Sequence, residues 1–280
     1  MPAPLPLPIR VLVKGASTVL WTSYMSGPRT DFTFPRVIED ELLAAGQPAV
    51  VQVAAKLGER AKTPLSVWDH EVLTWSPDVV VLIYGHYETI HLFLPWWLER
   101  HANSQRARPG KVRSFYREHL LRPVWRVLLT VQAALDERVR ARLFGARSRR
   151  VADDITHLVR NCQQVGSPLM VIVDLVPPGR TSAWPRWFPG MAPRIEVINQ
   201  VLSETVERIG MSNVRLFKAS ALADDYEKGG SVAAPDGGHF TPELHRLLGK
   251  ALSEQILGWA TTQPHLLSRR QPTEEAARTS

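Results

Sequence analysis

Apolar positions along this chain fall into two patterns: short continuous runs, and spacings of three and four residues. Ile9 to Val13 is a β-branched, apolar run ended by Lys14-Gly15, which predicts a first strand. Ala49 to Ala54 predicts a second. Asp78 to Tyr84 is apolar throughout after its first residue, the pattern of a central parallel strand covered on both faces. Leu169 to Leu175 repeats that pattern, and Val214 to Phe217 does so more weakly. Between the runs the spacing is helical. Residues 34–45 stop at Gly46, Ser66 to Trp75 closes at Ser76-Pro77, and two longer stretches cover Pro193 to Ile209 and Thr241 to Ala260. Thr241-Pro242-Glu243 reads as a helix start, with threonine as cap and proline in the first turn. Strands alternating with helices predict an α/β fold built on a doubly wound parallel sheet of about five strands.

The rhythm fails between about residues 90 and 150. This stretch holds Leu92, Phe93, Leu94, Trp96 and Trp97, then a basic helical pattern with Phe115, Leu120, Leu121, Trp125, Leu128 and Leu129. It reads as a helical insertion between the third and fourth strands. Residues 1–262 then form one α/β domain carrying that insertion, and the polar stretch 263–280 reads as a flexible tail.

Composition narrows the class. Hydrophobic residues make up 44% and charged residues 22% of the 280, which excludes wholesale disorder. The single cysteine, Cys162, excludes a disulfide framework and a Cys-rich zinc site, and suggests a reducing compartment. The longest unbroken apolar stretch, Val79 to Tyr84, is far below the ~20 residues a membrane span needs. Prolines at positions 2, 4, 6 and 8 break any signal-type helix, so a soluble, cytoplasmic protein is expected. The net charge of +7 is uneven: Glu99 to Arg150 carries 14 Lys/Arg against 4 Asp/Glu, an excess of 10, so the remainder sums to −3. Localised charge of this kind implies an anionic partner.

Ligands of open α/β sheets bind beyond the carboxyl ends of the strands. Gly15-Ala16-Ser17-Thr18 follows the first strand, Lys56-Leu57-Gly58-Glu59 the second, and Gly85-His86-Tyr87-Glu88 the third; Pro235-Asp236-Gly237-Gly238-His239 precedes the last helix. A serine at a tight strand-to-helix turn can expose its hydroxyl and hold its own N–H near an anion. A histidine can take the hydroxyl proton, and an aspartate can fix the imidazole tautomer. Asp236 and His239 lie three apart, close enough to meet within one turn. Taken singly, Gly-x-Ser reads as a turn and Asp-x-x-His as a cap beside a surface histidine. Their joint placement favours catalysis.

With these residues the chain resembles the SGNH (GDSL-type) serine hydrolases, a flavodoxin-like three-layer α/β/α fold with esterase, lipase and acyltransferase members. The resemblance covers the sheet-forming parts and omits the insertion. Its most specific match is the last block, Asp236, His239 and Pro242 opening a final helix. The resemblance implies that Ser17 is the nucleophile, His239 the general base and Asp236 its orienter, with the N–H groups of Ser17 and Gly58 in the oxyanion hole. Two positions depart from the family pattern. The first block usually reads Gly-Asp-Ser, and here it is Gly15-Ala16-Ser17. The third usually carries Gly-x-Asn-Asp, whose asparagine donates to the oxyanion, and here Tyr87 and Glu88 stand in those places. Losing such a donor costs on the order of 3 kcal/mol, so Tyr87 or the neighbouring His86 is expected to substitute.

The implied activity is that of an acyl esterase or acyltransferase. An acyl-enzyme on Ser17 would pass its acyl group to water or to a hydroxyl, such as that of a sugar, and acyl-coenzyme A is a candidate donor. No cofactor is implied. The rival from another class is a binding module that kept the fold and holds an anionic glycan, lipid surface or protein. The insertion reads either as a solvated face or as a lid. As a lid its aromatics, Trp96 and Trp97 among them, would line an acyl pocket, and its arginines would hold coenzyme A phosphates, an acidic sugar or a membrane surface. Trp184 and Trp187, after the fourth strand, would stack on a sugar or pack against the insertion. No metal is expected, since His86 and His91 lack helical i, i+4 ligand spacing. Asp224-Asp225 reads as loop surface. No dinucleotide or Walker-type glycine loop follows the first strand, and no nucleic-acid module surrounds the basic stretch.

Overall fold

The apolar runs become the middle of a sheet. The computed structural model describes residues 8–20, 33–90, 93, 97–98, 101, 110–179, 188–263 and 266. Strands β1 (Ile9–Gly15), β2 (Ala49–Ala55), β3 (Val79–Ile83), β4 (Leu169–Val173) and β5 (Val214–Phe217) pair in parallel in the order β2-β1-β3-β4-β5. Val81 at the centre pairs with Val13 on one side and Val171 on the other. Every residue of β3 and β4 is buried, as their continuous apolar runs require, while the edge strands β2 and β5 are partly exposed. The chain leaves β1 for β2 on one side and returns to β3 on the other. The carboxyl ends of β1 and β3 therefore flank the crevice at which such sheets bind ligands.

The helices are α1 (Ser17–Leu20), α2 (Phe34–Ala44), α3 (His86–Ile90), α4 (Lys111–Tyr116), α5 (Arg122–Val139), α6 (Gly145–Gln164), α7 (Met191–Ile209), α8 (Ala219–Lys228) and α9 (Pro242–Ala260). A wide π turn, Arg117–Leu121, joins α4 to α5. Helices α2 and α9 pack together as one layer and α6 and α7 as the other. The first layer is keyed by the buried His245, whose Nδ1 accepts the Phe34 N–H at 3.2 Å and whose ring stacks on Phe34. Helix α6 buries Val151, Ile155, Leu158, Val159 and Cys162, so it carries one face of the core through the stretch that precedes β4. This is the architecture expected, a three-layer α/β/α sandwich.

Local differences have local causes. Residues 66–75 do not form one regular helix. A 3-10 turn at Thr63–Ser66, with Pro64 in its first positions, is followed by a π turn at Asp69–Leu73. Lys14 is buried in β1, and its ammonium pairs with Glu71 inside that π turn. Burial pushes the Lys14 amine down to about 8, against the pull of Glu59. Burial also lifts the Cys162 thiol to about 12, so the single cysteine is a core residue with little thiolate. Asp224 and Asp225 lie in α8, not in a loop. Alanines and a leucine drive that helix, and Asp174 accepts the Ser220 N–H at its start. Of the tail, Gln263 and the buried Leu266 are described.

Candidate active site

The first block turns sharply out of β1. A Cβ on Gly15 would stand 2.5 Å from Val19 Cγ2 and 2.6 Å from Ile83 Cγ2, so only glycine lets β1 close against β3 and α1 here. Ser17 is partly exposed and opens α1. Its neighbour Thr18 donates through Oγ1 to the carbonyl of Gly238 at 3.4 Å. That bond ties the turn after β1 to the loop carrying Asp236 and His239, 220 residues away.

The Asp236 loop is built around its carboxylate. Oδ1 accepts the N–H groups of Gly238 at 2.9 Å and His239 at 2.8 Å, and Oδ2 lies 2.7 Å from His239 Nδ1. Burial pushes this carboxyl up, but the imidazole and the two N–H groups outweigh it and hold it below the usual aspartate range. A proton on Nδ1 donated to Asp236 makes Nε2 the basic nitrogen of the ring. Thr241 then caps α9, its Oγ1 accepting the Leu244 N–H at 3.2 Å, and Pro242 occupies the first turn as expected.

Gly58 and Tyr87 meet. Gly58 has φ +67°, and a Cβ there would stand 3.1 Å from the Tyr87 ring and 3.3 Å from its hydroxyl. Glycine is thus required twice, by its backbone and by the close approach of the ring. The Arg60 guanidinium lies 5.7 Å from the centre of the same ring. His86 goes elsewhere. It is buried, with Nε2 3.3 Å from the carbonyl of Val176. Burial first, then the nearby His239, lowers its pKa to about 4, and the Val176 bond only partly offsets this. Of the two residues expected to replace the family asparagine, the half-buried Tyr87 is the one beside Gly58.

His86 titration carries a stability prediction. The folded pKa is below the ordinary 6.5, so between about 6.5 and about 4 the unfolded chain holds a proton the folded one lacks. This contribution is complete above 6.5 and is lost as pH falls through that window. The buried carboxyls of Glu59, Glu88 and Asp174 are raised by burial and act in the opposite sense. Thermal melts of His86→Gln against wild type isolate the histidine: the stability gap between wild type and variant should shift in favour of the variant as pH falls from 6.5 to 4. A gap independent of pH would show that His86 does not titrate as its surroundings imply.

Three residues that position α3 are not evident from sequence. The carbonyls of Glu88, Thr89 and Ile90 accept from Arg147 at 3.1 Å, Arg194 at 2.7 Å and Gln132 at 3.4 Å respectively. Glu88 also accepts the Ala61 N–H at 2.8 Å, joining the loop after Gly58 to the helix that bears Tyr87. These partners lie 27 to 105 residues apart, and no local motif announces them. Of the aromatic candidates, Trp97 is 67% exposed, whereas Trp96, Trp184 and Trp187 lie outside the described residues. Among the described residues no cluster of His, Cys, Asp and Glu could hold a metal ion.

No family model matches the sequence, and no curated protein matches it. Solved structures do. A carbohydrate acetylesterase from Sinorhizobium meliloti superposes with a TM-score of 0.57 at 12% identity, over 90% of this chain and 99% of its own. A lipase/acylhydrolase from Enterococcus faecalis gives 0.57 at 15% identity, over 89% and 96%. A protein described as a GDSL-like lipase, from Parabacteroides merdae, gives 0.56 at 12% identity, over 91% and 98%. With its five-stranded parallel sheet between two helical layers, the chain has the three-layer α/β/α SGNH (GDSL-type) fold.

Proposed function

We propose that the protein is a serine ester hydrolase using Ser17, His239 and Asp236. The observation that carries this reading is the Asp236–His239 pair, 2.7 Å apart, in a loop bonded to the residue next to Ser17. In the proposed reaction Ser17 Oγ attacks the ester carbonyl carbon while His239 Nε2 takes its proton. The oxyanion is held by the N–H groups of Ser17 and Gly58 and by the Tyr87 hydroxyl. The intermediate collapses to an acyl-serine, and His239 returns the proton to the departing alkoxide. Water, deprotonated by the same imidazole, then releases the acid. Transfer shares the first half of this sequence and differs only in offering a sugar hydroxyl in place of water. An acyl-coenzyme A donor would bring phosphates for the arginines of the insertion.

Fluorophosphonate labelling followed by intact mass tests the assignment. Wild type should gain one phosphonyl adduct and Ser17→Ala none. An unlabelled wild type across a range of pH favours the binding module instead. Incubation with acetyl-coenzyme A and a sugar, compared with an aryl acetate in water, separates transfer from hydrolysis by product mass. Tyr87→Phe is expected to lower kcat by about a hundredfold, with little change in KM, because its hydroxyl meets charge only in the transition state. An unchanged kcat would remove Tyr87 from the oxyanion role.

A further inference from the structure

The helical stretch from Lys111 to Val139 presents a row of exposed aliphatic side chains. Leu120, Val124, Val127, Val131 and Leu135 follow one another at steps of four, three, four and four, and are between 41% and 63% exposed. Val112, at 84%, and Phe115, at 62%, widen the row at its amino end. No residue of α4 or of the π turn is buried, and in α5 only Gln132 and Asp136 are. Those two hold the helix to the body, through the Ile90 carbonyl and through Arg194. Each stands one residue on from a member of the row, about 100° round the helix. The attachment therefore fixes which face looks outward. A solvated helix face does not carry a continuous aliphatic stripe.

Charge selects what covers it. The stretch carries Lys111, Arg113, Arg117, Arg122, Arg126 and Arg138 against Glu118, Glu137 and Asp136, and Asp136 is committed to Arg194. A second copy laid parallel on this face would set the cationic amino-terminal half against its like, and one laid antiparallel would offer that half an end where Glu137 offsets Arg138, with no acidic row to match the arginines. The occupant must be anionic and must also take a broad apolar arc, wider than the narrow seam of a helix pair. A lipid bilayer with acidic headgroups meets both conditions. We propose that the outer face of Lys111–Val139 docks on an anionic membrane surface, its aliphatic row at the acyl boundary and its arginines among the headgroups. The attachment is peripheral: among the described residues no helix is long and apolar enough to cross a membrane. The proposal does not depend on the catalytic assignment.

Co-sedimentation of the full chain with sucrose-loaded vesicles tests it. The protein should pellet with phosphatidylcholine vesicles containing one quarter phosphatidylglycerol and remain largely in solution with phosphatidylcholine alone. Leu120→Gln/Val127→Gln/Val131→Gln should weaken partitioning more than tenfold, with the helical circular dichroism retained. Should that triple variant fail to fold, Val127→Asp alone is expected to give the same loss. Arg113→Gln/Arg117→Gln/Arg126→Gln should abolish the preference for the acidic lipid. Three results would each overturn the proposal: no pelleting of wild type with acidic vesicles, stripe variants that bind as wild type does, or a solution dimer that the stripe substitutions dissociate.

Discussion

His239→Ala is expected to lower kcat/KM for an aryl acetate by at least about a thousandfold, while the melting temperature stays near that of wild type. The separation is possible because the loop is held by main-chain groups. The N–H groups of Gly238 and His239 bond to Asp236 Oδ1, Gly237 N–H to the Ala234 carbonyl and Thr241 N–H to the Ala233 carbonyl. None of these bonds uses the imidazole, so its removal takes away the base and leaves the loop. Asp236→Asn should be nearly as damaging by another route. An amide placed against Nδ1 favours the tautomer with its proton on Nε2, and the ring then has no lone pair to offer Ser17. A His239→Ala enzyme that kept near wild-type turnover would eliminate the triad. One that lost both turnover and thermal stability would assign the imidazole to the fold.

Arg194→Met is expected to be the most destabilising single change, by about 3–5 kcal/mol, read as a lowered midpoint in urea unfolding. Both side chains of the Arg194–Asp136 pair are fully buried. Asp136 also accepts the Gly190 N–H at 2.9 Å, and Arg194 donates to the carbonyls of Thr89 and Arg140. Removing the arginine leaves a carboxylate out of water with only a backbone N–H for company. The double variant Arg194→Met/Asp136→Leu removes both charges and should recover much of the loss, because desolvation of the pair is then no longer required. A double variant as unstable as the single would mean that the lost carbonyl bonds, and not the stranded charge, set the penalty. Arg194 bonds to α3 through Thr89, so a fall in kcat in folded Arg194→Met would place this pair in the support of Tyr87.

Much of the fold is legible because its signals are local. Strands β3 and β4 are buried on both faces, and their sequences are unbroken apolar runs. The Asp236–His239 contact spans three residues and the Thr241 cap a further three, so both can be read from spacing. The 3-10 and π turns between β2 and β3 could not be read. The π turn holds Glu71, whose partner Lys14 lies in β1, 57 residues away, and the 3-10 turn opens on Pro64. Helix α8 is obscured by the Glu227-Lys228-Gly229-Gly230 turn that follows its two aspartates, although the alanines before them favour helix.

Taken alone, the amino-acid order determined the strands, the layer class, the capped final helix and the carboxylate–imidazole pair. Each depends on hydrophobic period or on hydrogen bonds spanning a few residues. Only the tertiary structure decided that Tyr87, not His86, lies against Gly58, that three side chains hold the end of α3, and that an arginine in α7 fastens the inserted helix and turns its aliphatic row outward. These contacts join residues tens to more than a hundred positions apart. Which of the many possible distant partners meet is settled by closing the chain around one packed core, where a buried charge or carbonyl must find a partner.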